Sequence, residues 1–218
     1  DINTPWLKII ENSDDLRSAA LQMRRKSFGS DLKSLPEDAR LSHYEDALDR
    51  HYFKHALKSL KGNNPAIKYL RDYVAMEIDH KNILNILEAS SIGINPDDFN
   101  SLLISGGKLL PTRSFSSIAA GGRSAMLDIL RTSNRFDMAH FEALITESEN
   151  SRSLDPIITW FKEREHKFMK KMSYLHPISA LPIVYYVAMK VQEVNDLRII
   201  VRGRFAGLSE KVLEEHIL

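Results

Sequence analysis

The chain has 218 residues, 43% of them hydrophobic, which is enough to bury a core in one or two domains. Thirty Lys and Arg against 29 Asp and Glu leave a formal net charge of +1, so no global field draws the protein to nucleic acid or to an anionic bilayer. There is no cysteine, which excludes disulfides and thiol chemistry and suits a reducing cytoplasm.

The opening stretch Asp1-Ile-Asn-Thr-Pro-Trp6 has neither a basic segment nor an apolar core, so no signal peptide is expected. With no Met at position 1, the chain reads as a fragment. Ser13-Asp14-Asp15 offers a capping hydroxyl and early carboxylates to a helix carrying Leu16, Ala20, Leu21 and Met23, which Phe28-Gly29-Ser30 ends. Pro36-Glu37-Asp38 predicts the start of a helix to about Lys61, with Leu41, Tyr44, Leu48, Tyr52, Phe53, Ala56 and Leu60 on one broad face. Asn64-Pro65 then caps a helix that runs to Gly93, and Asn95-Pro96 starts a short one through Leu103.

From Ser105 to Asn134 the pairs Gly106-Gly107 and Gly121-Gly122, with Pro111, predict short helical pieces. Helix resumes from Phe136 to about Glu147, and again from a Ser153 cap, with Pro156 in the first turn, to about Tyr174. The longest consistent element runs from Pro182 to Leu208. Pro177 and Pro182 stand near its start, and Gly203 and Gly207 at its end. Val184, Val187, Val191, Val194, Leu197 and Val201 recur at three- and four-residue steps, an apolar stripe expected to face a core. Ser209 begins a last helix. No segment alternates apolar and polar residues long enough to argue for a sheet, so the fold class is all-α. The most apolar run, Ile178 to Met189, is too short to cross a bilayer.

Tyr73 to Leu87 matches Tyr186 to Ile200 without a gap at an offset of 113, with Tyr, Val, Ala, Met, Asn, Leu and Ile identical. An internal repeat is a statement about architecture. It predicts units at 1–104 and 135–218 joined by a broken-helix junction at 105–134. Asn82 and Asn195 fall at equivalent positions, preceded by Asp79 and Gln192, and the four are expected to be buried polar clamps between helices. Lys190, Arg198 and Arg202, with Arg204 just beyond, form a basic stripe that is a candidate partner surface.

Little else points to chemistry. Ser105-Gly-Gly-Lys108 and Gly121-Gly-Arg-Ser124 lack the spacing of a phosphate-binding loop and follow no strand, so helix-ending glycine is the better account. His51 and His55 are four apart, without the Glu of a zinc protease, and Glu163-Arg-Glu-His166 reads as a solvated face. Trp6, Trp160 and the Tyr73/Tyr186 pair read as core or interface anchors. No catalytic residue, cofactor site or metal site is expected.

The segment Lys190-Val-Gln-Glu-Val-Asn-Asp-Leu-Arg-Ile-Ile-Val-Arg-Gly-Arg-Phe-Ala-Gly-Leu208 resembles the C-terminal signature of the central-stalk C subunit of A/V-type rotary ATPases, the counterpart of the eukaryotic d subunit. Tyr44-Glu-Asp-Ala-Leu-Asp-Arg-His-Tyr-Phe53, Glu77-Ile-Asp-His-Lys-Asn-Ile-Leu84 and Leu102-Leu-Ile-Ser-Gly-Gly-Lys-Leu-Leu110 agree with it in order. The resemblance implies a cup or funnel of helical units around a pseudo-threefold axis, two of the three visible here. It implies a non-catalytic socket, cytoplasmic and peripheral to the membrane, between the D and F shaft subunits and the membrane proteolipid ring, with the membrane-embedded a subunit a further contact. The near-zero net charge and the lack of a recognisable motif argue against a nucleic-acid partner. Two other readings are a helical-repeat scaffold unrelated to ATPases and a helical nucleic-acid binder using the stripe from Lys190 to Arg204.

Overall fold

The computed structural model describes residues 4–23, 28–93, 99, 102–134 and 136–214, with the side chains of 4–6, 211 and 214 outside that description. The expected helix from Asn95 to Leu103 therefore lies largely outside the described residues, as does the Trp6 side chain. The rest is all-α, and no strand occurs among the described residues. The helices are α1 Thr4–Glu11, α2 Leu16–Gln22, α3 Gly29–Lys33, α4 Leu41–Ser59, α5 Pro65–Ile92, α6 Phe115–Arg131, α7 Met138–Ser151, α8 Asp155–Leu175, α9 Leu181–Phe205 and α10 Glu210–Glu214.

Their ends follow from local chemistry. The Asp15 carboxylate accepts the Ser18 N–H at 2.6 Å and opens α2. The Asn64 side chain accepts the Ala66 N–H at 2.8 Å, Pro65 fills a position that needs no N–H donor, and Gly93 closes α5 at φ 73°. At the end of α9 the Leu208 N–H reaches Gly203 O (2.9 Å) and the Gly207 N–H reaches Arg204 O (3.1 Å), with Gly207 at φ 75°. This paired closure satisfies carbonyls that would otherwise be orphaned.

The start of α4 differs from the sequence reading, and the junction agrees with it. Pro36 starts a turn, closed by the Ala39 N–H on Pro36 O, and α4 begins only at Leu41 because the His43 ring takes the Arg40 N–H at 2.9 Å. In the junction the backbone is non-helical at Gly122 (φ 54°, ψ −135°), so α6 is two helical pieces that meet at a kink, in line with the short pieces that the sequence predicts. Gly122 supplies a backbone conformation that L side chains rarely adopt, and it breaks the helix at the place its glycine pair marks.

The main core gathers the C-terminal half of α5 with α6, α7 and α8, and Ile83, Ile118, Met126, Leu130, Phe141 and Ile157 are fully buried in it. Side chains of this kind each stabilise by roughly 1.5–3 kcal/mol when buried. Trp160 borders this core against Phe136 and Phe141, with Arg164 over its ring at 4.8 Å. A second cluster lays α4 on α5 through Phe53, Val74 and Ile78. A third ties α5, α8 and α9 through Ala66, Met172 and Leu181.

The long helix α9 reverses the sequence expectation. Its valine and leucine stripe points outward: Val187, Val191, Val194, Leu197 and Val201 are all about half exposed, and Val184 alone of the six is partly covered. Tyr186 is also exposed, whereas Tyr73 packs against the second cluster. The reason is the direction from which α8 arrives. Leu181, fully buried, pins the start of α9, the Tyr185 hydroxyl meets His166 Nε2 at 3.2 Å, and Gly203 makes room for Leu213. These contacts sit on the opposite face. The matched positions in α5, Val74 and Ile78, are buried under α4, so equal sequence does not give equal surroundings in the two stretches.

Candidate functional site

The polar chemistry of the chain is concentrated on α5. Asp79, 1% exposed, accepts the backbone N–H groups of Lys108 (2.7 Å), Leu109 (2.8 Å) and Leu110 (2.9 Å). The glycine-rich loop thus does enclose an anion, and the anion is a carboxylate of the protein itself. Its glycines are required by that closure and do not end a helix. Gly106 has φ 121°, and a Cβ on Gly107 would collide with Asp79 Oδ1. Burial pushes Asp79 above the ordinary carboxylate range, and the three amides pull it back. One turn on, Asn82 is fully buried; its amide donates to Ile104 O and its carbonyl accepts the Ile104 N–H, both at 2.8 Å. Asn85 adds a bond to Leu102 O at 2.9 Å. The three side chains fasten the segment 102–110 along α5.

The opposite flank of the same helix faces α8. His80, 3% exposed, stacks flat on Phe161 at 4.0 Å, and its Nδ1 meets Glu165 Oε1 at 2.5 Å. Its Nε2 is buried without a hydrogen-bond partner. Burial first, then the Glu165 carboxylate, push Glu77 up to about 7, while a bond from the Tyr73 hydroxyl pulls it down. Burial and Glu77 together raise Tyr73 as well. A cavity of about 430 Å³ opens beside this group, lined by Tyr73, Glu165, His166, Tyr185 and Gln192 among others.

The second pair of expected clamps is different. Asn195 is exposed and, among the described residues, accepts from the Arg198 guanidinium at 3.3 Å, and Gln192 is half-buried and donates to Asp196 at 2.7 Å. Both bonds stay within α9, because no described segment lies over that helix as residues 102–110 lie over α5. The clamp reading is therefore corrected at Gln192 and Asn195. Replacing Asn82 with Leu should lower stability by about 2 kcal/mol, since it strands the Ile104 N–H and C=O. The same change at Asn195 should stay within about 0.5 kcal/mol. Urea unfolding of both variants checks the contrast.

Of the basic stripe, Lys190 pairs with Glu193 at 2.5 Å and Arg204 with Glu210, and all four side chains are exposed. His51 bonds Asp31 at 2.7 Å and stacks on His55, and no metal-holding cluster of His, Cys, Asp or Glu occurs among the described residues. Glu163-Arg-Glu-His166 is not simply a solvated face: Glu163 pairs with Lys167, but Glu165 turns inward to His80 and His166 to Tyr185. Sequence reasoning missed Glu77, His80 and Glu165. The one available signal was the placing of Tyr73, Glu77 and His80 at helical spacing on one helix.

These groups close loops and join helices, which defines the chain as an all-helical protein whose polar interior serves assembly of the fold. A family model described as "ATP synthase (C/AC39) subunit" matches residues 6–216, and the chain belongs to that family. It is 27% identical over 195 residues to the C subunit of the A-type ATP synthase of Haloquadratum walsbyi, covering 88% of this chain and 55% of the relative. The C subunit of the Methanococcoides burtonii enzyme is 24% identical over 220 residues, covering 100% of this chain and 60% of its own length. That of Archaeoglobus fulgidus is 26% identical over 181 residues, with 82% and 49% covered. The chain therefore spans about half to three fifths of the length of these relatives. No solved structure matches it. No described helix is long and apolar enough to cross a membrane.

Proposed function

We propose that this chain is a non-catalytic part of the central stalk of an A/V-type rotary ATPase, a socket that couples the D–F shaft to the membrane ion-translocating ring. The family match over residues 6–216 carries the reading. The protein would sit on the cytoplasmic side, peripheral to the membrane, with the membrane-embedded a subunit a further contact. Its work would be mechanical, linking ion transport to ATP synthesis or hydrolysis.

The architecture suits that work. Helix α5 has 28 residues, about 42 Å at 1.5 Å per residue, and it is packed laterally by α4, α6 and α8. Close-packed side chains transmit strain because they have no room to yield. The Asp79, Asn82 and His80 contacts add directional ties that resist sliding of one element along another. We take 1–104 and 135–218 as the two units of a pseudo-threefold cup, joined through 105–134.

Lys190, Arg198, Arg202 and Arg204 are offered as part of the partner surface, since guanidinium groups grip carboxylates in a fixed geometry at protein interfaces. Arg198→Glu combined with Arg202→Glu should weaken recovery of the D–F complex or the ring by about tenfold, with an unchanged helical circular dichroism spectrum. Unaltered recovery of both partners would remove these residues from the interface.

A further inference from the structure

The cavity between the end of α5, α6 and the turn from α7 to α8 has no part in the contacts described above. It holds about 460 Å³, in the size range of small-molecule sites, and Leu87, Ile145, Leu154 and Ile157 give it an apolar wall. Its polar lining is less well served by the fold. Ser148 is 6% exposed, and its Oγ is buried with no hydrogen-bond partner among the described residues. An unpaired buried hydroxyl destabilises the fold that holds it. The other hydroxyls of the lining are satisfied: Ser91 donates to Glu88 O at 2.7 Å, and Ser153 to Asp155 Oδ2 at 2.6 Å.

Arg152 closes α7 in the left-handed region at φ 55°, the one described residue other than glycine with a positive φ. Glycine or asparagine suits that place better, since a larger side chain crowds the backbone there. Arg152 also lines the cavity and makes no ion pair among the described residues. Arg123, by contrast, is held by Glu149 at 2.6 Å. A serine and an arginine of one cavity thus stand where alanine and glycine would serve the fold better, and both bring hydrogen-bond donors.

The donors define the ligand. One guanidinium and one hydroxyl match the two oxygens of a carboxylate, which guanidinium grips in a fixed geometry. A phosphate dianion would bring a second charge and a third oxygen close to Glu88 and Glu149, which share the lining. The apolar wall calls for a hydrocarbon body. We propose that this cavity binds a small organic monocarboxylate, its head group held by Arg152 and Ser148 and its body laid against Leu87, Ile145, Leu154 and Ile157.

Fluorine NMR of para-fluorobenzoate mixed with the full-length protein tests this. The expected result is saturable broadening of the ligand signal, reversed by hexanoate and not by hexanamide or inorganic phosphate. Arg152→Gly should weaken binding by about tenfold, and Ser148→Ala by about fivefold. Both variants should keep a thermal midpoint at least as high as the parent's, because glycine relaxes the left-handed turn and alanine removes the unpaired hydroxyl. A role in the fold alone would lower the midpoint instead. The proposal is overturned by an absence of saturable binding, by binding unaltered in both variants, or by a midpoint lowered in both. Displacement by phosphate as efficient as by hexanoate overturns it too, since the site would then not select a carboxylate. The cavity has no part in the central-stalk reading, which stands in each of these cases.

Discussion

Asp79→Ala should destabilise the protein by about 4 kcal/mol, the largest loss expected from any single polar substitution in this chain. Three backbone amides, of Lys108, Leu109 and Leu110, donate to this one carboxylate, and the side chain is 1% exposed. Alanine removes every acceptor at once and leaves the donors buried. Hydrogen bonds to a charged group contribute about 1.5–3 kcal/mol each, and partial collapse of the loop recovers some of the sum. Asp79→Asn keeps one carbonyl acceptor and should cost about half as much. The same closure explains why Gly107→Ala should also fail, since its Cβ would occupy the place of Asp79 Oδ1. Chemical denaturation of the three variants, read as midpoint at constant slope, measures the order.

The second large effect is a pH dependence centred on Glu77. Its carboxyl rises from an ordinary 4.5 to about 7 in the folded protein, chiefly through burial and secondly through Glu165. The folded state therefore holds a proton that the unfolded state has released between these values. Stability from this group is fully present below pH 4.5 and is lost as pH rises through 7. The span corresponds to about 3 kcal/mol at 1.36 kcal/mol per unit. Glu77→Gln fixes the neutral form, so the variant should gain on the parent as pH rises from about 5 to about 8. It should keep the Tyr73 contact through its carbonyl. Urea midpoints at intervals across that range for both proteins test this, and a parent curve parallel to that of Glu77→Gln would contradict it.

Much of the fold was legible because its signals are local. Asn64-Pro65 and Gly93 frame α5, Pro156 opens α8 after a Leu154 cap while the Ser153 hydroxyl takes the Asp155 N–H, and Pro182 with Gly207 frames α9, each through a backbone group that a particular residue type satisfies or spares. The site was half legible. Asp79 and Asn82 stand out as polar residues inside an apolar helix, and both are buried. Their partners do not stand out, since a backbone amide at 104 or 108–110 has no sequence signature.

The stripe of α9 is apolar, as its spacing says, yet it lies outside the core. Periodicity reports which residues share a face and carries no information on which face a neighbouring helix will take. Here Leu181, Tyr185 and Gly203 decide, with α8 and Leu213 packed behind them. The match of Tyr73–Leu87 with Tyr186–Ile200 suggests for Asn195 a burial that only Asn82 has, because the loop over α5 has no counterpart lying over α9 among the described residues. The pairing of His80 with Glu165 was illegible for a related reason. His80 and Glu165 are 85 residues apart, and only the packing of α5 on α8 makes them a pair.

The central claim is coupling, and reconstitution measures it directly. An A/V-type ATPase lacking this component is assembled in sealed vesicles, and ATP hydrolysis and ion uptake are followed together before and after the full-length protein is added. The proposed function predicts hydrolysis without uptake in its absence and ATP-driven uptake once it is restored, with no ATP turnover by the purified protein alone. Uptake that proceeds equally well without the protein, or ATP hydrolysis by the protein on its own, would contradict it.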